Sequence, residues 1–208
     1  SGLTFYYRNG GVEVKRTIRL PAEGYLLEME TEVLWEGRSI PFTITLGPGL
    51  GEPQLETYSV DFAEPAAVYY QAGAANRYTA GDLEDGTIRL NSPARWVAMD
   101  SQYFTYLILV PDGIKGATFS SFKTESLASD SQESPLIAVE VELEPGTPHA
   151  IFIGPKNYEI LGEADTTLSE LIDYGWFAFL VKPLSFTLRL TYGYVHNYGW
   201  AIIILTFF

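Results

Sequence analysis

Side chains able to act as nucleophiles, general bases or metal ligands are scarce in this chain. It has two histidines, His149 and His196, and no cysteine. Disulfides, thiolate zinc sites and thiol nucleophiles are therefore excluded, and histidine-based metal clusters nearly so. Neither a metal-ligand set nor a cofactor motif emerges from the spacing. What remains for acid–base work is His149 with Glu and Asp residues. His149 follows Pro148 at a turn-like position, has no second histidine beside it and has no carboxylate at a telling spacing. The more informative chemistry is cationic and aromatic. Lys182 and Arg189 are the only Lys, Arg, Asp or Glu after Asp173, and they stand among Trp176, Phe177, Pro183, Leu184 and Trp200. Long cations flanked by large apolar and aromatic side chains suit a lipid–water boundary, where the charged heads reach the phosphates.

The charge balance sharpens this contrast. The 208 residues carry 26 acidic and 13 basic side chains, a net charge of −13. With no excess of cations to neutralise phosphates, nucleic acid is excluded as a partner. All 26 acids and 11 of the bases lie within residues 1–173, and the last 35 residues hold two cations and no acid. An acidic globule followed by a weakly cationic apolar tail points to a membrane or partner surface, or else to ordinary core helices. Apolar residues make up 47% of the chain, enough for a real core.

The elements that must position these residues are mostly strands. Val12–Leu20 and Tyr25–Trp35 alternate with period two. In the second, Leu27, Met29, Thr31 and Val33 share one face, and Glu28, Glu30 and Glu32 the other. Strand-like runs follow at Ile40–Leu46, Ala66–Gln71, Thr87–Asn91, Arg95–Met99, Tyr103–Val110, Ala117–Phe122, Leu136–Leu143 and His149–Ile153. Turns are expected at Asn9-Gly10-Gly11, Gly47-Pro48-Gly49, Asp85-Gly86, Asp112-Gly113 and Pro145-Gly146, and an exposed loop at Ser120–Ser134. This pattern predicts an antiparallel, mainly β sandwich with C-terminal helices. Tyr69, Tyr70, Tyr78, Tyr103 and Tyr106 either line an aromatic groove or simply cover sheet faces.

After Lys156 the rhythm changes. Asn157–Leu161 reads as a helical turn, and Asp165–Ile172 as a capped helix. Over Tyr174–Val195, helical spacing gathers Gly175, Ala178, Lys182, Ser185, Arg189 and Gly193 into a basic and small stripe. Trp176, Phe177, Leu180, Leu184, Leu188 and Val195 face the other way, with Thr187 and Thr191 intruding. Two cations near its middle and Pro183 make spanning costly, so the helix is expected to lie flat on the membrane, or to pack on the sandwich. Trp200–Phe208 reaches only roughly 13 Å as a helix, and reads as the first half of a transmembrane segment.

These segments resemble the YidC family of membrane protein insertases. The likeness rests on Arg95-Trp-Val-Ala-Met-Asp-Ser-Gln-Tyr-Phe104, the Leu-Val-Pro111 end, Phe152-Ile-Gly-Pro-Lys156, Asp173-Tyr-Gly-Trp-Phe-Ala-Phe-Leu-Val-Lys-Pro-Leu184 and Asn197-Tyr-Gly-Trp-Ala-Ile-Ile-Ile-Leu-Thr206. Trp96, Tyr103, Phe104, Pro111, Gly154, Pro155, Lys156, Gly175 and Gly199 are its marker positions. The resemblance implies a periplasmic β-supersandwich, similar to sugar-mutarotase folds, over 1–156. It further implies a short helical linker over 157–173, an interfacial helix over 174–196 and the start of a transmembrane helix over 197–208. It also implies a place at the bacterial inner membrane. The expected partners are membrane lipids, nascent membrane proteins, and the Sec translocon with its accessory subunits. The family's groove arginine would fall beyond Thr206, so Arg189 is not its counterpart. Neither enzyme activity, cofactor nor metal is implied. Two other functions compete: a carbohydrate-binding or mutarotase-like protein using His149, and a periplasmic adaptor that never touches lipid.

Overall fold

A computed structural model describes residues 2–49, 65–84, 86–90, 92–123, 135–175 and 178–206. The chain divides into two compact units, Ser1–Leu171 and Ile172–Phe208.

The first unit is built from antiparallel strands. They are β1 (Gly2–Asn9), β2 (Val12–Arg19), β3 (Leu26–Trp35), the short β4 (Arg38–Ser39), β5 (Phe42–Leu46), β6 (Ala66–Gln71) and β7 (Ala74–Thr79). After these come β8 (Ile88–Leu90), β9 (Ala94–Asp100), β10 (Phe104–Ile114), β11 (Gly116–Lys123), β12 (Pro135–Leu143) and β13 (His149–Pro155). One sheet runs β1-β2-β3-β13-β10-β9-β6-β7, with β4 paired to β3; a four-stranded sheet runs β5-β12-β11-β8. The mainly β sandwich expected from the sequence is what forms.

Alternation explains which side chains go where. In β3, Met29 and Thr31 are buried while Glu28, Glu30 and Glu32 are exposed. The main core takes Ala67 and Tyr69 from β6, Val97 and Met99 from β9, Ile108 and Val110 from β10, and Phe119, Ile137, Val139 and Val141 from the smaller sheet. Their alternates, Val68, Trp96, Ala98, Leu107 and Phe152, are buried as well. A face pointing away from the main core can be buried only if something covers it. The cover comes from α1 (Tyr158–Ala164) and a 3-10 helix over Thr166–Leu171, which bury Leu161, Leu168 and Leu171.

Several local expectations need correction. The Ile40–Leu46 run breaks, because Pro41 supplies no N–H, and the strand restarts at Phe42. Asp112-Gly113 is no free turn; it lies inside β10, where the register with β9 shifts between Leu109 and Ile114, as at a bulge. The capped helix after Asp165 forms as a 3-10 helix. The tyrosines do not make one groove. Tyr69 stacks on Tyr78 and Phe119 inside the sandwich, Tyr70 stacks on Trp96 on the other face, and Tyr103 is exposed. Of the Ser120–Ser134 loop, residues 124–134 lie outside the described residues; its first residues belong to β11.

In the second unit, α2 (Ala178–Val195) and α3 (Tyr198–Thr206) pack against each other. His196 turns the chain with φ of 51°, and Tyr192 and Tyr198 stack across the turn at 4.1 Å. The Asn197 carboxamide oxygen caps α3, accepting from the N–H of Gly199 at 2.8 Å. Pro183 lies within α2. No described helix is long and apolar enough to cross a membrane.

Candidate functional site

Two groups of residues stand out, one in each unit. The first lies on the covered outer face of the large sheet. Asp100, at the end of β9, is fully buried, and its Oδ2 accepts from Lys156 Nζ at 2.9 Å and from Arg77 Nη1 at 2.7 Å. Lys156 also donates to the Ser101 carbonyl at 3.1 Å, and Arg77 to the Leu171 carbonyl at 3.3 Å. Burial pushes the Asp100 carboxyl up from its ordinary value, against the pull of the Lys156 and Arg77 charges.

A relay beside it ties down the 3-10 helix. Trp96 Nε1 donates to Thr167 Oγ1 at 3.0 Å; that hydroxyl donates to Asp165 Oδ1 at 2.6 Å; Arg95 donates to Asp165 Oδ2 at 2.6 Å. Burial works against ionisation of Asp165, but the hydrogen bonds from Arg95 and Thr167 outweigh it and hold the carboxyl below its ordinary value. The arrangement ties chain segments together across the outer face of the sheet.

The marker residues fall largely around this cluster. Trp96 and Lys156 belong to it directly. Tyr103, in the turn between β9 and β10, and Phe104, the first residue of β10, are exposed. There the Tyr103 carbonyl accepts from the Lys156 N–H at 2.8 Å, and Ser101 Oγ donates to the Phe104 carbonyl. Gly154 is required by close approach: a Cβ there would lie 2.8 Å from Tyr25 Cγ. Pro155 ends β13 half-buried, and Pro111 is exposed on β10. Sequence reasoning took Asp165 only as a helix cap and missed Arg77 and Thr167, whose bonds to Asp100 and Trp96 are made by the fold.

The second group lies in the second unit. Phe179 and Phe186 are each 70% exposed and Tyr194 81%, and Leu184, Leu190, Trp200, Ile202 and Ile203 are exposed too. Pro183 and Arg189 are also exposed. The three threonines of the unit do not offer their hydroxyls outward. Thr187 Oγ1 donates to the Pro183 carbonyl at 2.9 Å, Thr191 to Thr187 at 2.8 Å and Thr206 to Ile203 at 2.7 Å. Their intrusion on the apolar arc is thereby masked. Gly175 takes a φ of 56° and donates its N–H to Asp173 Oδ1 at 2.7 Å, a turn ahead of α2. Gly199 sits exposed in the cap of α3. Trp176, Phe177 and the side chain of Lys182 lie outside the described residues.

The sequence model of the YidC periplasmic domain matches residues 1–187. The chain belongs to this family. Proteins from Geobacter sulfurreducens (30% identity, 94% of this chain and 37% of the relative), Pelobacter propionicus (26%, 98% and 38%) and Geotalea uraniireducens (35%, 63% and 25%) are each named membrane protein insertase YidC. The chain thus spans between a quarter and two fifths of these relatives. The membership supports a YidC-type periplasmic domain and not the carbohydrate alternative. The latter's only histidine is also poorly placed. His149 is buried, its Nδ1 faces the Thr147 carbonyl at 3.0 Å, and burial lowers its pKa.

Proposed function

We propose that this YidC periplasmic domain serves membrane protein insertion at the bacterial inner membrane, with its second unit resting in the lipid–water interface. The observation that carries the reading is the pairing of composition with exposure in that unit. Residues 174–208 lack acids, present large apolar side chains to solvent, and satisfy their threonine hydroxyls internally. Such a surface gains free energy by leaving water, roughly 25 cal/mol for each Å² of apolar area covered. Trp176, Phe177, Lys182, Pro183, Leu184, Arg189 and Trp200 are the proposed interface residues, with the two cations reaching anionic headgroups.

The role is non-covalent, with membrane lipids and nascent membrane proteins as partners. The acidic first unit is the surface left for the Sec translocon and its accessory subunits. Insertion lowers the cost of moving polar segments through hydrocarbon and needs neither nucleophile nor metal. The test is flotation with vesicles containing anionic lipid, comparing the full chain with one ending at residue 171. Binding by the full chain alone, weakened by salt, is expected; equal flotation of both overturns the reading.

A further inference from the structure

Residues 157–171 cross the outer face of the large sheet without joining it. Among the described residues, no backbone hydrogen bond runs from residues 160–171 to a strand. Leu161, Asp165 and Leu168 donate to the carbonyls of Asn157, Leu161 and Asp165, within the segment itself. Side chains do the fastening. Lys156 clamps the root of the segment to Asp100 and to the Ser101 carbonyl. Asp165 and Thr167 hold its middle to Arg95 and Trp96, and Arg77 holds its end at the Leu171 carbonyl. Leu161, Leu168 and Leu171 are fully buried along it.

The apolar contacts of this segment are separate from the main core. Neither its three leucines nor Trp96, Ala98 and Leu107 of the face beneath belong to the cluster that packs the two sheets together. Its departure therefore breaks no strand pairing and leaves that core closed. The attached state also carries a strain that departure relieves. Asp100 Oδ2 accepts from both Lys156 and Arg77, while Oδ1 of the same fully buried carboxylate has no partner among the described residues. A buried acceptor left unpaired bears its whole desolvation penalty, and water reaching it restores the missing bonds.

We propose that residues 157–171 form a strap that detaches as one unit while the sandwich stays folded, uncovering the apolar sheet face around Trp96, Ala98 and Leu107. The ties act together because three of their anchors, Arg95, Trp96 and Asp100, stand on the single strand β9 and hold different parts of the strap. Losing one loosens the next. Leu171 is the last residue of the first unit, so a pull transmitted along the chain from residue 172 meets the Arg77 tie first. The strap is thus a conformational device of the first unit. It goes beyond the interfacial role proposed above and does not depend on it.

The chain has no cysteine, so a single introduced thiol reports opening without background. Ala98→Cys puts a thiol on the outer face and Ala67→Cys puts one in the main core; both alanines are fully buried. Each variant of the 208-residue chain is treated with dithionitrobenzoate in native buffer and at rising urea below the unfolding transition. The thiol of Ala98→Cys is expected to react about tenfold or more faster than that of Ala67→Cys. Its rate should depend less steeply on urea, because strap release uncovers less surface than unfolding. Adding Val139→Ala, a cavity in the main core, should speed labelling of Ala67→Cys about tenfold and leave that of Ala98→Cys unchanged. Equal rates with equal urea slopes, or acceleration of both thiols by Val139→Ala, overturn the proposal. So does fast labelling of Ala98→Cys that ignores urea, since the reagent would then reach the face with the strap in place. Should either cysteine variant fail to fold, hydrogen exchange of the unsubstituted chain decides. Residues 161–171 exchanging together ahead of β10 and β13 uphold the strap, and exchange only in step with those strands overturns it.

Discussion

The Lys156 ammonium lies 2.9 Å from Oδ2 of the fully buried Asp100, joining the end of β9 to the residue that follows β13. Arg77 reaches the same oxygen from β7, so two strands and the residue after a third share one carboxylate. Removing one partner of a buried ion pair leaves a charge without compensation. Lys156→Met should therefore destabilise the first unit by about 3 kcal/mol, with Arg77 softening the loss. Pairing it with Asp100→Asn should recover part of that. Urea unfolding of both variants checks the ordering.

Trp96, Thr167, Asp165 and Arg95 hold the 3-10 helix against the outer face of the sheet. Thr167→Val keeps the volume and deletes the bridging hydroxyl. It leaves the buried Trp96 N–H unpaired, so a loss of about 1–3 kcal/mol is expected. Hydrogen exchange should quicken over residues 166–171 before it changes in β9.

At Gly154 the backbone runs against the Tyr25 ring, and a methyl group there would meet Cβ, Cγ and Cδ1 at 2.8–3.0 Å. Gly154→Ala should cost about 1–3 kcal/mol, as overpacking does. Tyr25→Ala in the same chain should make the alanine nearly neutral, and thermal unfolding of the four variants closes the cycle.

The sheet framework was legible because alternation is a local signal: the three glutamates of β3 declare its solvent face before any partner is known. β7 escaped notice since Ala74–Thr79 carries Asn76 and Arg77 in a short run with little apolar rhythm. The same period of two already separates Tyr69 from Tyr70, which must point to opposite faces, so a groove holding both was geometrically excluded. The cluster on the outer face was only half visible. Asp100 and Lys156 sit inside the marker segments, but Arg77 and Thr167 reach their partners through the fold, 23 and 71 residues away along the chain.

His149 gives the first unit a defined acid response. Burial lowers its folded pKa below the ordinary 6.5. Above that value both folded and unfolded chains hold it neutral, and it costs nothing. As pH falls below 6.5 the unfolded chain takes up a proton that the folded chain refuses. Stability then declines by up to about 1.4 kcal/mol per pH unit, until the lowered pKa is reached. His149→Leu should flatten this component, so the stability difference between wild type and variant should be constant above pH 7 and shift in the variant's favour toward pH 5 in urea titrations.

Arg189 and Phe186 separate the two forces proposed to hold the second unit at a membrane. Each cation beside an anionic surface contributes about 1 kcal/mol, whereas an apolar ring contributes whatever the composition of the headgroups. Arg189→Gln should weaken binding to anionic vesicles about fivefold and leave binding to neutral vesicles unchanged. Phe186→Ser should weaken both, and its effect should persist at high salt, where that of Arg189→Gln fades. If both variants lost binding only to anionic vesicles, the ring would not enter the lipid, and a surface held by charge alone would replace the interfacial helix.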